Sequence, residues 1–133
     1  MTAFASPADS PPSQANYSRF VQRTRRRYAA LLPLLPLGLP SKDMMQDLLT
    51  TLQGQEYDKP SALRIMRHIV QERLITLDCE AGISLQDTTQ GYTHLAEIAL
   101  EQASASSSAQ LSAQHGLPQG EQGKTCMLWI MGM

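Results

Sequence analysis

Residues 60–82, PSALRIMRHIVQERLITLDCEAG, carry the most regular apolar spacing in the chain. Leu63, Met66, Ile69, Val70, Leu74 and Leu77 recur at intervals that place them along one face of a helix several turns long. Proline suits the start of a helix, where its missing N–H would have no partner anyway, so Pro60 marks the beginning, with Asp58 or Lys59 before it. Gly82 supplies the natural stop. A helix with one apolar face must bury that face against another element, so the neighbours of this stretch decide the fold.

Downstream, Ser84 followed by Asp87 resembles a capping arrangement, and a further helix carries Leu85, Tyr92, Leu95, Ile98, Ala99 and Gln102. Gly91 weakens its second turn by roughly 1 kcal/mol relative to Ala. The helix is expected to run on through ASASSSAQLSAQ, 103–114, and to end at His115–Gly116. The short EAGIS turn, 80–84, predicts that these two helices pack antiparallel. Upstream, Ser41 caps a helix with Asp43 in its first turn, Met44, Met45, Leu48, Leu49 and Leu52 as its stripe, and Gly54 as its end. The first helix is expected over Tyr17–Leu32, with Phe20, Val21, Thr24, Tyr28, Leu31 and Leu32 on one face and arginines on the other. Pro33 ends it, and the leucines between Pro33 and Pro40 form a connector covering a neighbouring surface. The expected fold class is mainly α, with about four helices.

A chain of 133 residues suits one modest domain, and a net charge of −1 advertises neither a nucleic-acid nor a membrane partner. Charge is uneven: Arg19, Arg23, Arg25, Arg26 and Arg27 crowd one region, while acids dominate after Arg73. Cys79 and Cys126 lie far apart without metal-ligand spacing, which predicts reduced thiols and a cytoplasmic setting. The opening MTAFASPADSPPSQ lacks a basic region followed by an apolar run, so it does not read as a secretory signal. LLPLLPLGLP, 31–40, is apolar but broken by three prolines, and no stretch is long and apolar enough to span a bilayer. The chain therefore divides into a disordered leader, 1–15, a helical region, 16–115, a polar loop, 116–125, and an apolar ending, 126–133.

That ending, CMLWIMGM, holds the only tryptophan. A short continuous apolar run after a turn signal predicts a strand buried on both faces. A lone strand has no ladder partner for its N–H and C=O groups, and the chain offers no second convincing strand. The sequence reads as beginning a sheet that it does not contain, the alternative being a C-terminal tail that packs on the helices.

Other candidate groups read as ordinary. The RTRRR run, 23–27, lies opposite the apolar stripe and reads as a solvated face, without the aromatic platform of a single-strand binder. His68, His94 and His115 have no paired ligand on a shared turn. Cys79 sits between Asp78 and Glu80, which disfavour a thiolate, so it reads as packing or inert. Met44, Met45 and Met66 read as core fillers. GLPQGEQGK, 116–124, lacks the spacing and preceding strand of a P-loop.

Three stretches together resemble the N-terminal part of the bacterial bifunctional glutamine synthetase adenylyltransferase/adenylyl-removing enzymes. YSRFVQRTRRRYAALLPLLP, 17–36, is similar to the family's opening helix. ALRIMRHIVQERLITLDCEAGISLQDTTQGYTHLAEIALEQA, 62–103, resembles the helical pair before the first catalytic domain. LWIMGM, 128–133, resembles that domain's first strand, which in the family runs into a GKLG loop and a Ser-Asp-x-Asp motif. The resemblance implies an α+β nucleotidyltransferase domain begun by residues 126–133, with the chain breaking off one residue into the phosphate-binding loop. Gly132, at the edge of that loop beside Met133, is the one implied cofactor-binding residue; no catalytic or metal-ligating residue of the family falls in this chain.

The resemblance also implies an enzyme that uses Mg²⁺, with ATP for attaching AMP to a tyrosine of glutamine synthetase and phosphate for removing it. Glutamine synthetase and a PII signalling protein are the implied partners. The 133-residue chain alone is expected to be inactive. A small stand-alone helical interaction module without catalysis is the alternative reading, and a nucleic-acid adaptor using the arginine helix is a weaker one.

Overall fold

The computed structural model describes residues 13–132. Four α-helices run in chain order: α1, Arg19–Arg27; α2, Lys42–Gly54; α3, Lys59–Thr76; and α4, Leu85–His115. Three begin on a serine whose hydroxyl accepts a backbone N–H of the first turn: Ser18 from Val21, Ser41 from Met44 and Ser84 from Asp87. The Ser84 hydroxyl also donates to the Asp87 carboxylate at 2.7 Å, so the serine half of the expected capping arrangement forms, while the Asp87 carboxylate takes the hydroxyl rather than the Ser84 backbone N–H. Gly82 stands in the left-handed region at φ 58°, ψ 42° and turns the chain from α3 towards α4.

α3 is the central element and packs against α1, α2 and α4, while α2 also touches α4. Its buried face is Ala62, Ile65, Met66, Ile69, Val70 and Leu74, close to the stripe expected from sequence; Leu63 and Leu77 are half-buried at its margin. α2 adds Met45, Leu48, Leu49 and Leu52, α4 adds Leu95 and Ile98, and Tyr28 and Leu35 close the core from the α1–α2 connection. Arg73 holds that connection by donating to the carbonyl oxygens of Pro36 and Leu35 at 2.7 and 3.4 Å. Gly91 is buried against Leu74: a Cβ at residue 91 would come within 2.7 Å of a Leu74 methyl. Leu74 and Gly91 lie symmetrically about the Gly82 turn, which makes α3 and α4 a helical hairpin.

Several expectations need correction. Of the stretch read as a leader, residues 1–12 lie outside the described residues, but Gln14–Tyr17 forms a 3₁₀ turn whose Ala15 is fully buried. The first helix ends at Tyr28 rather than Leu32. Pro33 bars a continuing helix, and the chain tightens into i→i+3 bonds from Leu31 to Tyr28 and from Leu34 to Leu31. The last turn before Gly82, Leu77–Ala81, widens into a π turn, since Asp78, Cys79 and Glu80 offer no apolar side chain to hold it against the core. Leu85 and Tyr92 are exposed, because they fall on the face of α4 turned from Leu74.

Candidate functional site

Beyond Ile98 no residue of α4 is buried. The helix nevertheless runs on to His115, about 25 Å further at 1.5 Å per residue. Its low-complexity composition explains both facts: Ala, Gln and Leu favour the helix, while Leu100 and Leu111, its large apolar side chains, are exposed and too few to form a buried stripe. Gly116 ends it at φ 80°.

The polar segment that follows is a narrow hairpin rather than an open loop. Gln119 and Thr125 form an antiparallel bridge, Gly120 N–H donates to Lys124 C=O, and Cys126 N–H donates to Pro118 C=O, both at 2.9 Å. Gly123, at φ 70°, makes the turn. The apolar run then leaves with regular structure absent over 126–132, and no strand occurs among the described residues. Met127, Leu128, Trp129 and Met131 are between 77% and 88% exposed, and Ile130 is 49% exposed. Gly132 is exposed, and a Cβ there would meet nothing within 4 Å, so no cradle surrounds it. Met133 lies outside the described residues.

The arginine helix is only partly a solvated face. Arg25 reaches α3 and donates from Nε to Glu72 at 2.7 Å and from a terminal nitrogen to Thr76 at 2.9 Å; its other terminal nitrogen donates to the Asn16 side chain at 2.6 Å. The Thr76 hydroxyl also donates to Glu72 at 3.1 Å. Glu72 is 6% exposed, so the network satisfies a buried carboxylate and ties α1 and the first 3₁₀ turn to α3. The sequence signal was an acid in register with Ile65 and Ile69 on the buried face, opposite an arginine-rich helix. It was missed because the arginines were read together rather than singly.

The other candidates stand apart. His68 lies between Phe20 and Tyr28, with ring centroids 5.7 and 5.6 Å away, and its Nδ1 is 2.8 Å from the Arg64 carbonyl. His94 is half-buried on α4, and His115 is exposed at its end. Cys79 and Cys126 are free and exposed, so Cys79 is not a packing residue. Among the described residues no group of three or more His, Cys, Asp or Glu side chains could hold a metal ion. No helix of the described residues is long and apolar enough to cross a membrane.

Among the described residues, two groups titrate away from their ordinary values. The hydrogen bonds that the Lys42 ammonium donates to Glu97 and Glu101, at 3.1 and 3.3 Å, raise its pKa above the ordinary 10.5. Partial covering of the Tyr92 ring, and secondarily the charge of Asp78, raises its phenol above the ordinary 10.0.

No family model, curated protein or solved structure matches the chain.

Proposed function

We propose that this chain is the helical region preceding the adenylyl-removing domain of a glutamine synthetase adenylyltransferase/adenylyl-removing enzyme, and that residues 126–132 supply the first strand of that domain's sheet. The observation that carries this reading is the exposed run Met127–Met131. Five consecutive apolar side chains, between 49% and 88% exposed, need a cover, and a strand flanked by partners in a sheet provides one on both faces. The order of the three resembling stretches supports the same reading.

In this proposal the helical body holds the catalytic domain in place, and glutamine synthetase and a PII protein are partners of the whole enzyme. Residues 126–132 carry no acidic side chain to hold Mg²⁺, and Gly132 has no cradle around it. In this reading the 133-residue chain alone is inactive in AMP transfer and AMP removal, because none of the carboxylates of the family's Ser-Asp-x-Asp motif falls in it. A second reading, a helical interaction module without catalysis, is favoured by one observation: the body closes its core using no side chain beyond Ile98.

Reading the coding DNA past the Met133 codon separates the two. An in-frame GKLG-type loop followed by Ser-Asp-x-Asp supports the enzyme, and the extended chain should then remove AMP from adenylylated glutamine synthetase in the presence of phosphate. A stop codon at that point overturns the enzyme reading. Magnesium-dependent AMP transfer by the 133-residue chain itself would overturn its assigned inactivity.

A further inference from the structure

Between α1 and the first turns of α3 lies a cavity of about 360 Å³. Its polar lining is Arg27, Tyr28, Tyr57, Ser61 and Arg64, and no carboxylate lines it. Leu31 and Ile65 supply apolar wall. The volume falls within the range of small-molecule sites, roughly 300–1,000 Å³.

The two guanidiniums differ from those of Arg25 and Arg73. Arg25 and Arg73 are engaged by Glu72, Thr76 and carbonyl oxygens, whereas Arg27 and Arg64 enter no ion pair and donate no hydrogen bond among the described residues. Arg27 instead rests over the Tyr28 ring, 5.4 Å from its centroid, which leaves its donors free to face a ligand. Tyr28 is 7% exposed, yet its hydroxyl takes part in no hydrogen bond. No buried side-chain polar atom among the described residues lacks a partner, so that hydroxyl is accessible. Tyr57 reaches the cavity from the α2–α3 turn, directly after Glu56, the one non-glycine described residue with a left-handed backbone, φ 67°. After it α3 begins at Lys59, with Asp58 before it making no side-chain cap.

We propose that this cavity binds a phosphate dianion, either free or as the monoester of a small apolar or aromatic body. Two guanidiniums offer forked donors matched to phosphate oxygens. Three hydroxyls, of Tyr28, Tyr57 and Ser61, add further donors around a tetrahedral acceptor. A planar carboxylate, with two oxygens, would leave part of this donor set unused. The flanking acids, Glu56 and Asp58, are exposed and lie outside the lining. Leu31, Ile65 and the Tyr57 ring can cover an apolar ester group. The proposal does not depend on the enzyme reading above.

The test is calorimetric titration of the full chain at low ionic strength, with inorganic phosphate and phenyl phosphate in separate arms. Amide shifts of the ¹⁵N-labelled chain locate the site. One-site saturation by at least one anion is expected, with shifts centred on Tyr57 and Ser61. Arg27→Gln and Arg64→Gln together should weaken it at least about tenfold, helicity being unchanged by circular dichroism, whereas Arg19→Gln should leave it as it was. Tighter binding of phenyl phosphate assigns the monoester, and equal binding assigns the free ion. Absence of saturation by either anion overturns the proposal. Equal weakening by Arg19→Gln also overturns it, since attraction would then be general to the basic helix.

Discussion

Up to Ile98, α4 turns a buried position towards the core at Gly91, Leu95 and Ile98; from there to His115 the same helix has none. Both halves are helical, but they are held by different means. The first half is fixed by tertiary packing, the second by the intrinsic preference of Ala, Gln and Leu and by continuity with the first. The same contrast extends to the apolar residues. Leu52, Met66 and Leu74 are fully buried in the body, while Leu128, Trp129 and Met131 are almost fully exposed in the arm. Hydrophobicity alone therefore does not say where a residue lies. What decides is whether its helix brings it to a partner surface.

The largest expected effect tests this directly. Leu74→Ala removes a fully buried side chain from the middle of the core and should cost about 2–5 kcal/mol in urea denaturation. Leu128→Ala in the arm should change stability by less than about 0.5 kcal/mol. It should instead lower self-association in sedimentation, because an exposed apolar run without partners is an aggregation template. Equal losses from the two substitutions would erase the distinction between body and arm.

Next comes the buried carboxylate. Arg25→Ala leaves Glu72 with Thr76 as its remaining partner and should cost about 1–3 kcal/mol, at the lower end because the Arg25 side chain is 31% exposed. Glu72→Met, which removes the charge and fills similar volume, should cost less than Arg25→Ala. A double-mutant cycle on Arg25 and Glu72 measures their coupling. No coupling would mean that α1 is held by Val21 and Tyr28 alone.

Much of the body was legible in the sequence because its signals are local. Serine caps before apolar periods gave α2 and α4 their starts, and Gly82 gave the hairpin its turn. The stripe from Met66 to Leu74 identified the central helix. What remained hidden depended on pairing across the chain. Arg25 looks like its neighbours until Glu72 is placed opposite it. Tyr57 and Arg64 meet Arg27 only after α1 folds onto α3, so the cavity has no motif. The run 126–132 reads as a strand by composition, yet a strand is defined by its partners, and the described residues contain none.

Gly91 sharpens the comparison within a single helix. From sequence it is a weak point, since glycine disfavours helix by about 1 kcal/mol relative to alanine. In the fold it lets α4 approach α3, and a methyl group there would press into Leu74, which is fully buried and has little room to yield. Gly91→Ala should thus be destabilising by up to about 2 kcal/mol despite its better propensity. Ser107→Ala, in the uncovered half, should follow propensity and raise helicity slightly by circular dichroism. A stabilising Gly91→Ala would mean that the two helices pack less closely here.

The smallest effect lies at the border between body and arm. Lys42 on α2 reaches Glu97, before Ile98, and Glu101, after it, so this exposed pair is the last tie on α4 before the uncovered stretch. The Lys42 pKa is raised by those carboxylates and the Tyr92 pKa by partial covering of its ring. For each, the folded state holds its proton more tightly than the unfolded chain does. Their contribution is fully present below the unfolded values, 10.5 and 10.0, and is lost as pH rises through the raised folded values. Stability in urea should therefore decline above about pH 10, and Lys42→Met should remove part of that decline, more visibly at low salt than at high. Hydrogen exchange locates the effect: Lys42→Met should speed exchange of α4 amides around Glu101 while leaving those around Leu95 protected by the core. Uniform acceleration along α4 would instead show that the helix opens as one unit and that Ile98 is no border.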